Sequence, residues 1–501
     1  MRVQQFLEHH GIQRNPFAEE DAQTDPVFKE HCIESTYHPS WDKVYGDPRE
    51  PSTSIVFGEK GSGKTAMRLQ IARHVETFNE KHPDRRLLVV HYDDFNPFLD
   101  RFRDHIGKRN RRAEKVLEQW RLWDHMDCIL SLAVTGLVDR VVEGRPSRSV
   151  DAEIDVADFA KLSRHQGRDL LLLAACYDFS TAGTFRGRWN ALRKALRFHT
   201  WKSYWDTALG YVWSGAALML IASLIWKDYR AWLQPFWLFL LLLLATVGWA
   251  PRLWRIFKSW RLAGSVLKWM RTGNRDRGAL REAFQKFTVA ELSGQPLPNK
   301  DSTDDRYELL MKFQDIAATL GYPGVIVLVD RVDEPHLING SAELMQLLLW
   351  PMLDNKFLKH PGIGMKLMLP IELTRFIERE DRAFYQRSRL DKQNVVSSFE
   401  WTGEALYDVA NARIAACSSG TPPKLRDLLD ESVTMQRLLD ALRELRVPRH
   451  LFKFLYRLVV AHCNAHTDAE PVWKIPAGAF EATLAIALRD QDAFDRGMGA
   501  G

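Results

Sequence analysis

Residues Gly58–Thr65 read GEKGSGKT, which fits the template G-x-x-x-x-G-K-[ST] at every fixed position. The run Ser54–Phe57 before it has the composition of a short buried strand, and Ala66–Arg73 behind it has helical periodicity. A strand, a glycine-rich loop and a helix in this order are typical of a phosphate-binding P-loop. A turn of the same kind without a ligand is the disfavoured alternative, because all three parts are in place.

The chemistry of triphosphate binding requires these residue types. Glycines let the backbone approach the phosphates closely, so that loop N–H groups and a helix N-terminus point at the anion. The Lys64 ammonium is expected to reach the β- and γ-phosphates, and the Thr65 hydroxyl is expected to ligate Mg²⁺. ATP is favoured over GTP because the sequence has no Asn-Lys-x-Asp run for guanine recognition. The predicted binding residues are Gly58, Glu59, Lys60, Gly61, Ser62, Gly63, Lys64, Thr65 and Ala66.

Length and composition limit the possible classes of protein. A chain of 501 residues exceeds what one hydrophobic core usually supports, so two or three substructures are expected. The five cysteines include no C-x-x-C pair, which indicates a reducing environment and argues against a metal site or a disulfide framework. Residues 1–20 contain no apolar region of the kind found in a cleavable signal peptide. The net charge of +5 is too small to argue for nucleic acid by itself.

Two uncharged segments in the middle of the chain form a second pattern. Thr207–Trp226 and Ala231–Ala250 contain twenty residues each, and only Lys227–Arg230 separates them. A helix of twenty residues matches the bilayer hydrocarbon core of about 30 Å. Tryptophans gather near the predicted helix ends, as in an interfacial aromatic belt. The pattern predicts a transmembrane helical hairpin over residues 201–256, with the lipid bilayer as a partner.

Basic residues on both sides of this hairpin predict its orientation. They run from Arg186 to Lys202 and from Arg252 to Lys268, whereas the connecting loop carries only Lys227 and Arg230. The positive-inside rule therefore predicts a two-pass membrane protein with its NTPase domain and both termini in the cytoplasm. A buried helical pair and a re-entrant hairpin in one leaflet are the alternatives.

A P-loop site also needs a carboxylate for Mg²⁺ at the end of another strand. Gly324–Val329 reads as a buried strand that ends at Asp330, which is expected to hold the metal ion. Asp333 and Glu334 follow closely enough for one of them to orient or deprotonate the attacking water, and the sequence favours Glu334 only slightly. An ordinary core strand followed by a charged turn is the alternative.

Further strands and helices complete an α/β fold: a parallel P-loop NTPase sheet with helices on both faces, the inserted transmembrane hairpin and a C-terminal all-helical lid. The other strands are predicted at Arg86–Tyr92, Met365–Pro370 and Asn394–Phe399. The predicted divisions are 1–200 and 257–400 for the two halves of the NTPase domain, 201–256 for the hairpin and 401–501 for the lid.

Several polar residues are candidates for sensing or completing the site. Glu372 and Thr374 follow the fourth strand, where a γ-phosphate sensor or a helix cap would lie. Arg449 begins a predicted lid helix and is a candidate for the γ-phosphate, with a solvated surface arginine as the alternative. Arg387, Arg389 and Arg413 are candidates for arginine fingers across a subunit interface.

These motifs together resemble the KAP-type P-loop ATPases, a membrane-associated group related to the AAA+ and STAND classes. The resemblance uses Gly58–Thr65, Val325–Glu334, the hairpin between them and Val447–Arg449, which is similar to a sensor-2 motif. It implies ATP-dependent signalling, scaffolding or defence at the inner face of a membrane. The protein itself is expected to act in signalling, defence or assembly, with a protein partner or self-association through its ATPase domain. AAA+ proteins usually place an acid directly after the metal-binding Asp, but Arg331 occupies that position here. KAP-type members carry an acid three positions after the metal-binding Asp, and Asp333 matches it.

Three functions follow as hypotheses. The first is an ATP-hydrolysing conformational switch, and the second is a scaffold that binds ATP but hardly hydrolyses it, which the Arg331 departure suggests. The third is a nucleic-acid remodeller or loader, suggested by the basic run Lys108–Arg112, although such runs are more often solvated surface.

Overall fold

The structure of the chain is a computed structural model, which describes residues 1–107, 112–144, 149–199, 201–226, 239, 243, 246–390 and 393–495. The chain forms two units. The first contains Met1–Pro83 and Ile326–Gly501, and the second contains Asp84–Val325. The first unit is thus built from two separate stretches of sequence, and both Lys64 and Asp330 belong to it.

Six strands lie in the described residues: β1 (Ser54–Gly58), β2 (Leu87–Tyr92), β3 (Val150–Asp151), β4 (Gly324–Val329), β5 (Ile363–Pro370) and β6 (Asn394–Val396). In the first unit their order is β4-β5-β1-β6, and β1 is parallel to both β5 and β6. Ser54 lies opposite Lys366 on one side and Asn394 on the other. Every residue of β1, β4 and β5 is buried, as expected for parallel strands with continuous apolar sequences.

The strand pairing is mixed rather than all parallel, so the predicted fold class is wrong on this point. In the second unit, β2 pairs antiparallel with β3, and Val89 lies opposite Asp151. A strand of two residues carries no recognisable alternation, which is why the sequence did not predict it. The five predicted strands are present, but β5 begins at Ile363 instead of Met365 and β6 ends at Val396 instead of Phe399.

The transmembrane hairpin is a second error in the predicted fold class. Trp201–Trp226 forms one helix, yet among the described residues no helix is both long enough and apolar enough to cross a membrane. The prediction counted uncharged residues, whereas a membrane span needs predominantly apolar ones, and the uncharged segment includes Thr207, Gly210, Tyr211, Ser214 and Gly215. The second predicted span, Ala231–Ala250, lies largely outside the described residues. The two-pass localisation is therefore wrong as well, and the bilayer partner loses its basis.

The N-terminal segment packs with the helices that follow Trp401. Phe6 and Leu7 share one hydrophobic core with Leu406, Leu438 and Leu455. This shared core joins the N-terminal residues of the first unit to the helices at its C-terminal end. The domain boundaries predicted near residues 200 and 400 stay predictions. The helices of this unit are Val3–His9, Trp41–Tyr45, Lys64–Lys81, Ala342–Leu349, Asn355–Leu358, Thr374–Arg379, Arg382–Ser388, Gly403–Ala416, Met435–Leu445, Pro448–Ala465 and Ala477–Asp495.

A buried ion pair lies in the core of the second unit. Arg306 Nε is 3.3 Å from Asp127 Oδ1, neither side chain is exposed, and the Tyr177 hydroxyl donates to the same carboxylate oxygen at 2.7 Å. Hydrogen bonds of this kind offset the cost of burying charge. The helices of this unit are Asn96–Ile106, Ala113–Leu117, Leu122–Glu143, Arg164–Tyr177, Phe185–Ala195, Trp201–Trp226, Ala250–Trp269, Arg277–Gln285, Val289–Leu292 and Thr303–Thr319. Most of the basic run, residues 108–111, lies outside the described residues.

Lys366 on the central strand β5 is fully buried, and its ammonium donates to the carbonyl oxygens of Val44 at 2.8 Å and Tyr45 at 3.0 Å. Burial lowers the pKa of this lysine from 10.5 to about 7. Between these two pKa values the unfolded chain binds more protons than the folded protein, so the free energy of unfolding should rise with pH from about 7 to about 10.5. The full contribution should be on the order of 5 kcal/mol at most, because each unit of the pKa shift from 10.5 to about 7 corresponds to about 1.4 kcal/mol.

The prediction is tested by measuring unfolding midpoints from pH 7 to pH 10 for the wild type and Lys366→Met. The rise with pH should be smaller in the variant, and Lys359→Met, which removes an exposed lysine nearby, should keep the wild-type slope. Equal slopes in all three proteins would contradict the prediction, because they would show that the pKa of Lys366 in the folded protein lies close to its value in the unfolded chain.

Candidate functional site

The glycine-rich loop between β1 and the helix Lys64–Lys81 has a backbone that only glycine adopts easily. Gly61 has φ +88° and Gly63 has φ +96°. A Cβ atom at Gly61 would lie 2.6 Å from the Cβ of Arg449, so a side chain has no room there. The Ser62 hydroxyl is buried, and no hydrogen-bond partner is described for it. A cradle of glycines at a helix N-terminus, with an unsatisfied buried hydroxyl, fits a phosphate group.

Lys64 is the first residue of that helix and its ammonium lies inside the site. It donates to the carbonyl oxygens of Gly58 at 2.7 Å and Glu59 at 2.8 Å. Burial lowers the pKa of Lys64, and the nearby carboxylates of Asp330, Asp333 and Glu372 oppose that shift. These carboxylates favour the charged form of the ammonium, which is the form that attracts a phosphate.

Asp330, directly after β4, lies next to the threonine that ends the P-loop. The Thr65 hydroxyl donates to Asp330 Oδ2 at 2.9 Å, and Arg68 Nε is 3.3 Å from the same oxygen. The N–H of Arg331 donates to Asp330 Oδ1 at 2.9 Å. Burial raises the pKa of Asp330, while Arg68 and the hydrogen bonds favour the carboxylate. Two segments separated by 265 residues in sequence therefore meet at this point.

The residues present fit Mg²⁺ but not a metal ion held by protein ligands alone. Among the described residues there is no group of three or more His, Cys, Asp or Glu side chains able to hold a metal. Mg²⁺ in nucleotide sites needs only one or two protein oxygens, because phosphate oxygens and water complete its shell. The Thr65 hydroxyl and the Asp330 carboxylate are the oxygens that would hold it.

The two acidic residues beyond β4 differ in their surroundings. The Glu334 carboxylate is 3.5 Å from Arg331 Nη1, and its side chain is 55% exposed. Partial burial raises the pKa of Glu334, and Arg331 opposes this. Asp333 is half-buried, and its carboxylate interacts electrostatically with the Lys64 ammonium. Glu334 is thus the more solvent-exposed of the two acids.

Residues of the helical region beyond residue 400 touch the glycine loop. Trp401 Nε1 donates to the carbonyl oxygen of Ser62 at 2.7 Å, and the Arg449 N–H donates to the carbonyl oxygen of Gly61 at 3.4 Å. His38 stacks on Phe399 with ring centroids 3.6 Å apart. Burial lowers the pKa of His38 to about 4, so this histidine is neutral, and its ring nitrogens bond the N–H of Ser40 at 3.0 Å and the carbonyl oxygen of Glu400 at 2.8 Å. The helical region beyond residue 401 therefore contacts the P-loop directly.

These groups line one cavity of about 330 Å³ in the first unit, which is within the size range of small-ligand sites. Lys64, Thr65, Asp330, Asp333, Glu334 and Arg449 all line it, as do Lys60, Gly61, Gly63 and Ala66. The N-terminal segment contributes Glu20, Asp21, Phe28, Cys32 and Thr36, and the helical region contributes Val409, Arg413 and Phe452. The cavity is thus lined by charged and apolar side chains together.

The remaining sequence candidates lie in different environments. Glu372 lines the cavity, whereas the Thr374 hydroxyl donates to the carbonyl oxygen of Ile371 at 2.7 Å. Arg413 is 4% exposed, forms an ion pair with Asp25 at 2.6 Å and lines the cavity, so it is not placed to enter another subunit. Arg387 is exposed and Arg389 is half-buried, and their role as arginine fingers stays a prediction.

Sequence reasoning missed three residues of the site. Arg68 lies three residues after Thr65 in the helix, and this spacing places both on one helix face, so helical periodicity would have found it. Trp401 and Asp21 gave no signal, because their approach to Ser62 and to the residues after β4 depends on the tertiary fold.

No protein-family model, curated protein or solved structure matches this chain. The resemblance to KAP-type P-loop ATPases therefore stays a prediction, resting on the motifs Gly58–Thr65, Val325–Glu334 and Val447–Arg449.

Proposed function

We propose that this protein binds ATP with Mg²⁺ and hydrolyses it, acting as a conformational switch. The observation that carries the proposal is the 2.9 Å hydrogen bond between Thr65 and Asp330, which brings the end of a complete P-loop sequence to the carboxylate expected to share its metal ion. A glycine-rich turn with no ligand would not need this partner.

Each residue has a chemical role in the proposal. The N–H groups of the P-loop and the Lys64 ammonium hold the β- and γ-phosphates, and Arg449 adds positive charge from the helical region. Bound Mg²⁺ would neutralise charge on the phosphate oxygens. Glu334 accepts a proton from the attacking water or orients it, and Asp333 stabilises the charged form of Lys64.

The switch follows from the two contacts that link the helical region to the loop. Trp401 and Arg449 both touch the backbone that would surround the phosphates. A ligand that changes the position of Gly61 or Ser62 must change these contacts too, so it can favour one arrangement of the helices over another. Signalling, defence and assembly are the settings in which such a switch would act, with a protein partner or a second copy of the chain.

The scaffold that binds ATP with little hydrolysis is the second candidate, and one observation favours it. Arg331 stands where AAA+ proteins usually carry an acid, and its guanidinium pairs with Glu334. The nucleic-acid hypothesis has no comparable support within the described residues, because most of the basic run that suggested it lies outside them.

The test is to measure ATP binding and phosphate release by the full-length protein with Mg²⁺ and with EDTA. Tight Mg²⁺-dependent binding with continuous phosphate release supports the switch. Binding without release supports the scaffold, and the absence of binding contradicts both. GTP as competitor measures the preference for adenine.

A further inference from the structure

The Arg331 guanidinium lies between two carboxylates that line the same cavity. Nη1 is 3.5 Å from Glu334 Oε2, and Nη2 is 3.7 Å from Asp21 Oδ2. The arginine side chain is 24% exposed, so it is more sheltered than either acid. Because Asp21 belongs to the N-terminal segment and Glu334 follows β4, Arg331 connects two parts of the first unit that are distant in sequence.

The backbone of Arg331 has the left-handed conformation, with φ +59°. Residues with long side chains rarely adopt it, whereas glycine does so without strain. The turn itself uses main-chain groups of Arg331: its N–H donates to Asp330 Oδ1, and its carbonyl oxygen accepts from the N–H of Glu334 at 3.3 Å. Glycine would provide both bonds, so the reason for an arginine here must lie in its side chain.

The two carboxylates differ in how firmly they are held. Asp21 Oδ1 accepts a hydrogen bond from the N–H of Gln23 at 2.9 Å, and its carbonyl oxygen accepts from the N–H groups of Thr24 and Asp25. Asp21 is therefore fixed by its own turn. Glu334 is more exposed, and Arg331 is the one oppositely charged side chain that pairs with it among the described residues. The position of the Glu334 carboxylate thus depends on Arg331, and that of Arg331 depends on Asp21.

We propose that Arg331 is a positioning residue, anchored by Asp21, that holds the Glu334 carboxylate in place for water activation. This inference rests on the proposed ATPase function. It assigns control of the hydrolysis rate, rather than of ATP affinity, to the N-terminal segment. The unusual residue after Asp330 is then part of the catalytic arrangement and not a sign of lost activity.

The first experiment separates the side chain from the backbone by replacing Arg331 with glycine. Arg331→Gly should keep the melting temperature at or above the wild-type value and leave the Kd for ATP within about threefold, while kcat falls roughly tenfold or more because the acid is misplaced. Arg331→Lys keeps a cation near Glu334 and should retain more kcat than Arg331→Gly. The matched control is Arg197→Gly, which removes an exposed arginine with φ +48° from the second unit and should not change kcat.

Double variants test the path through Glu334 and Asp21. If Arg331 acts through Glu334, then Arg331→Gly combined with Glu334→Gln should be no slower than Glu334→Gln alone. Asp21→Asn should lower kcat less than Arg331→Gly and should add nothing to it. Effects of the two substitutions on kcat that multiply would overturn the proposal. A loss of ATP affinity without a change in kcat would also overturn it and would assign Arg331 to phosphate binding. Absence of phosphate release from the wild type would instead contradict the ATPase function, and the inference with it.

Discussion

Lys64→Ala is expected to weaken the binding of Mg²⁺-ATP by at least about 100-fold, which corresponds to roughly 3 kcal/mol. The lysine is the one side-chain cation of the P-loop template, and its charge-assisted hydrogen bonds to phosphate oxygens act in a buried site where screening by water is weak. Burial lowers the pKa of Lys64, whereas three nearby carboxylates favour its charged form. Isothermal titration calorimetry with ATP measures the loss.

Two controls separate this loss from damage to the fold. Lys81→Ala removes an exposed lysine at the other end of the same helix and should leave ATP affinity unchanged. Lys64→Ala also loses two hydrogen bonds to loop carbonyl oxygens, so its melting temperature has to be compared with that of the wild type without nucleotide. Unchanged affinity in a folded Lys64→Ala variant would contradict the assignment of the P-loop.

The sequence predicted the strands that carry the site better than it predicted the segments packed around the site. β1, β4 and β5 are buried on both faces, so their apolar runs are unbroken and end at the residues that bear the chemistry. The template in the P-loop is local, since all of its fixed positions lie within eight residues. The adjacency of Thr65 and Asp330 was expected because the carboxyl ends of parallel strands share one edge of a sheet.

The sequence could not predict features that depend on contacts between distant segments. The N-terminal segment packs into the core of the helices beyond Trp401, where Phe6, Phe17 and Val27 are buried. No local sequence pattern predicts this packing. The same holds for the contact between Asp21 and Arg331. The transmembrane prediction failed for a different reason: twenty uncharged residues are a weaker criterion than an apolar helix of spanning length, and Thr207–Trp226 did not meet the latter.

Glu334→Gln is expected to lower kcat for ATP hydrolysis about 100-fold or more while ATP affinity stays within about threefold. The amide keeps the size of the side chain but cannot accept a proton from water. The variant should therefore retain bound ATP rather than ADP, which chromatography of the extracted nucleotide measures. Glu378→Gln, an exposed residue of the first unit, is the matched control and should hydrolyse ATP at the wild-type rate.

Asp333→Asn should behave differently, because the Asp333 carboxylate acts on Lys64 whereas Glu334 pairs with Arg331. Removing the Asp333 charge makes the phosphate site more positive, so ATP affinity should stay the same or increase, and kcat should fall less than in Glu334→Gln. If Asp333→Asn abolishes hydrolysis and Glu334→Gln does not, the two roles must be exchanged. Arg331 would then pair with an acid that does no chemistry, so this single comparison tests both the catalytic assignment and the reason for an arginine after Asp330.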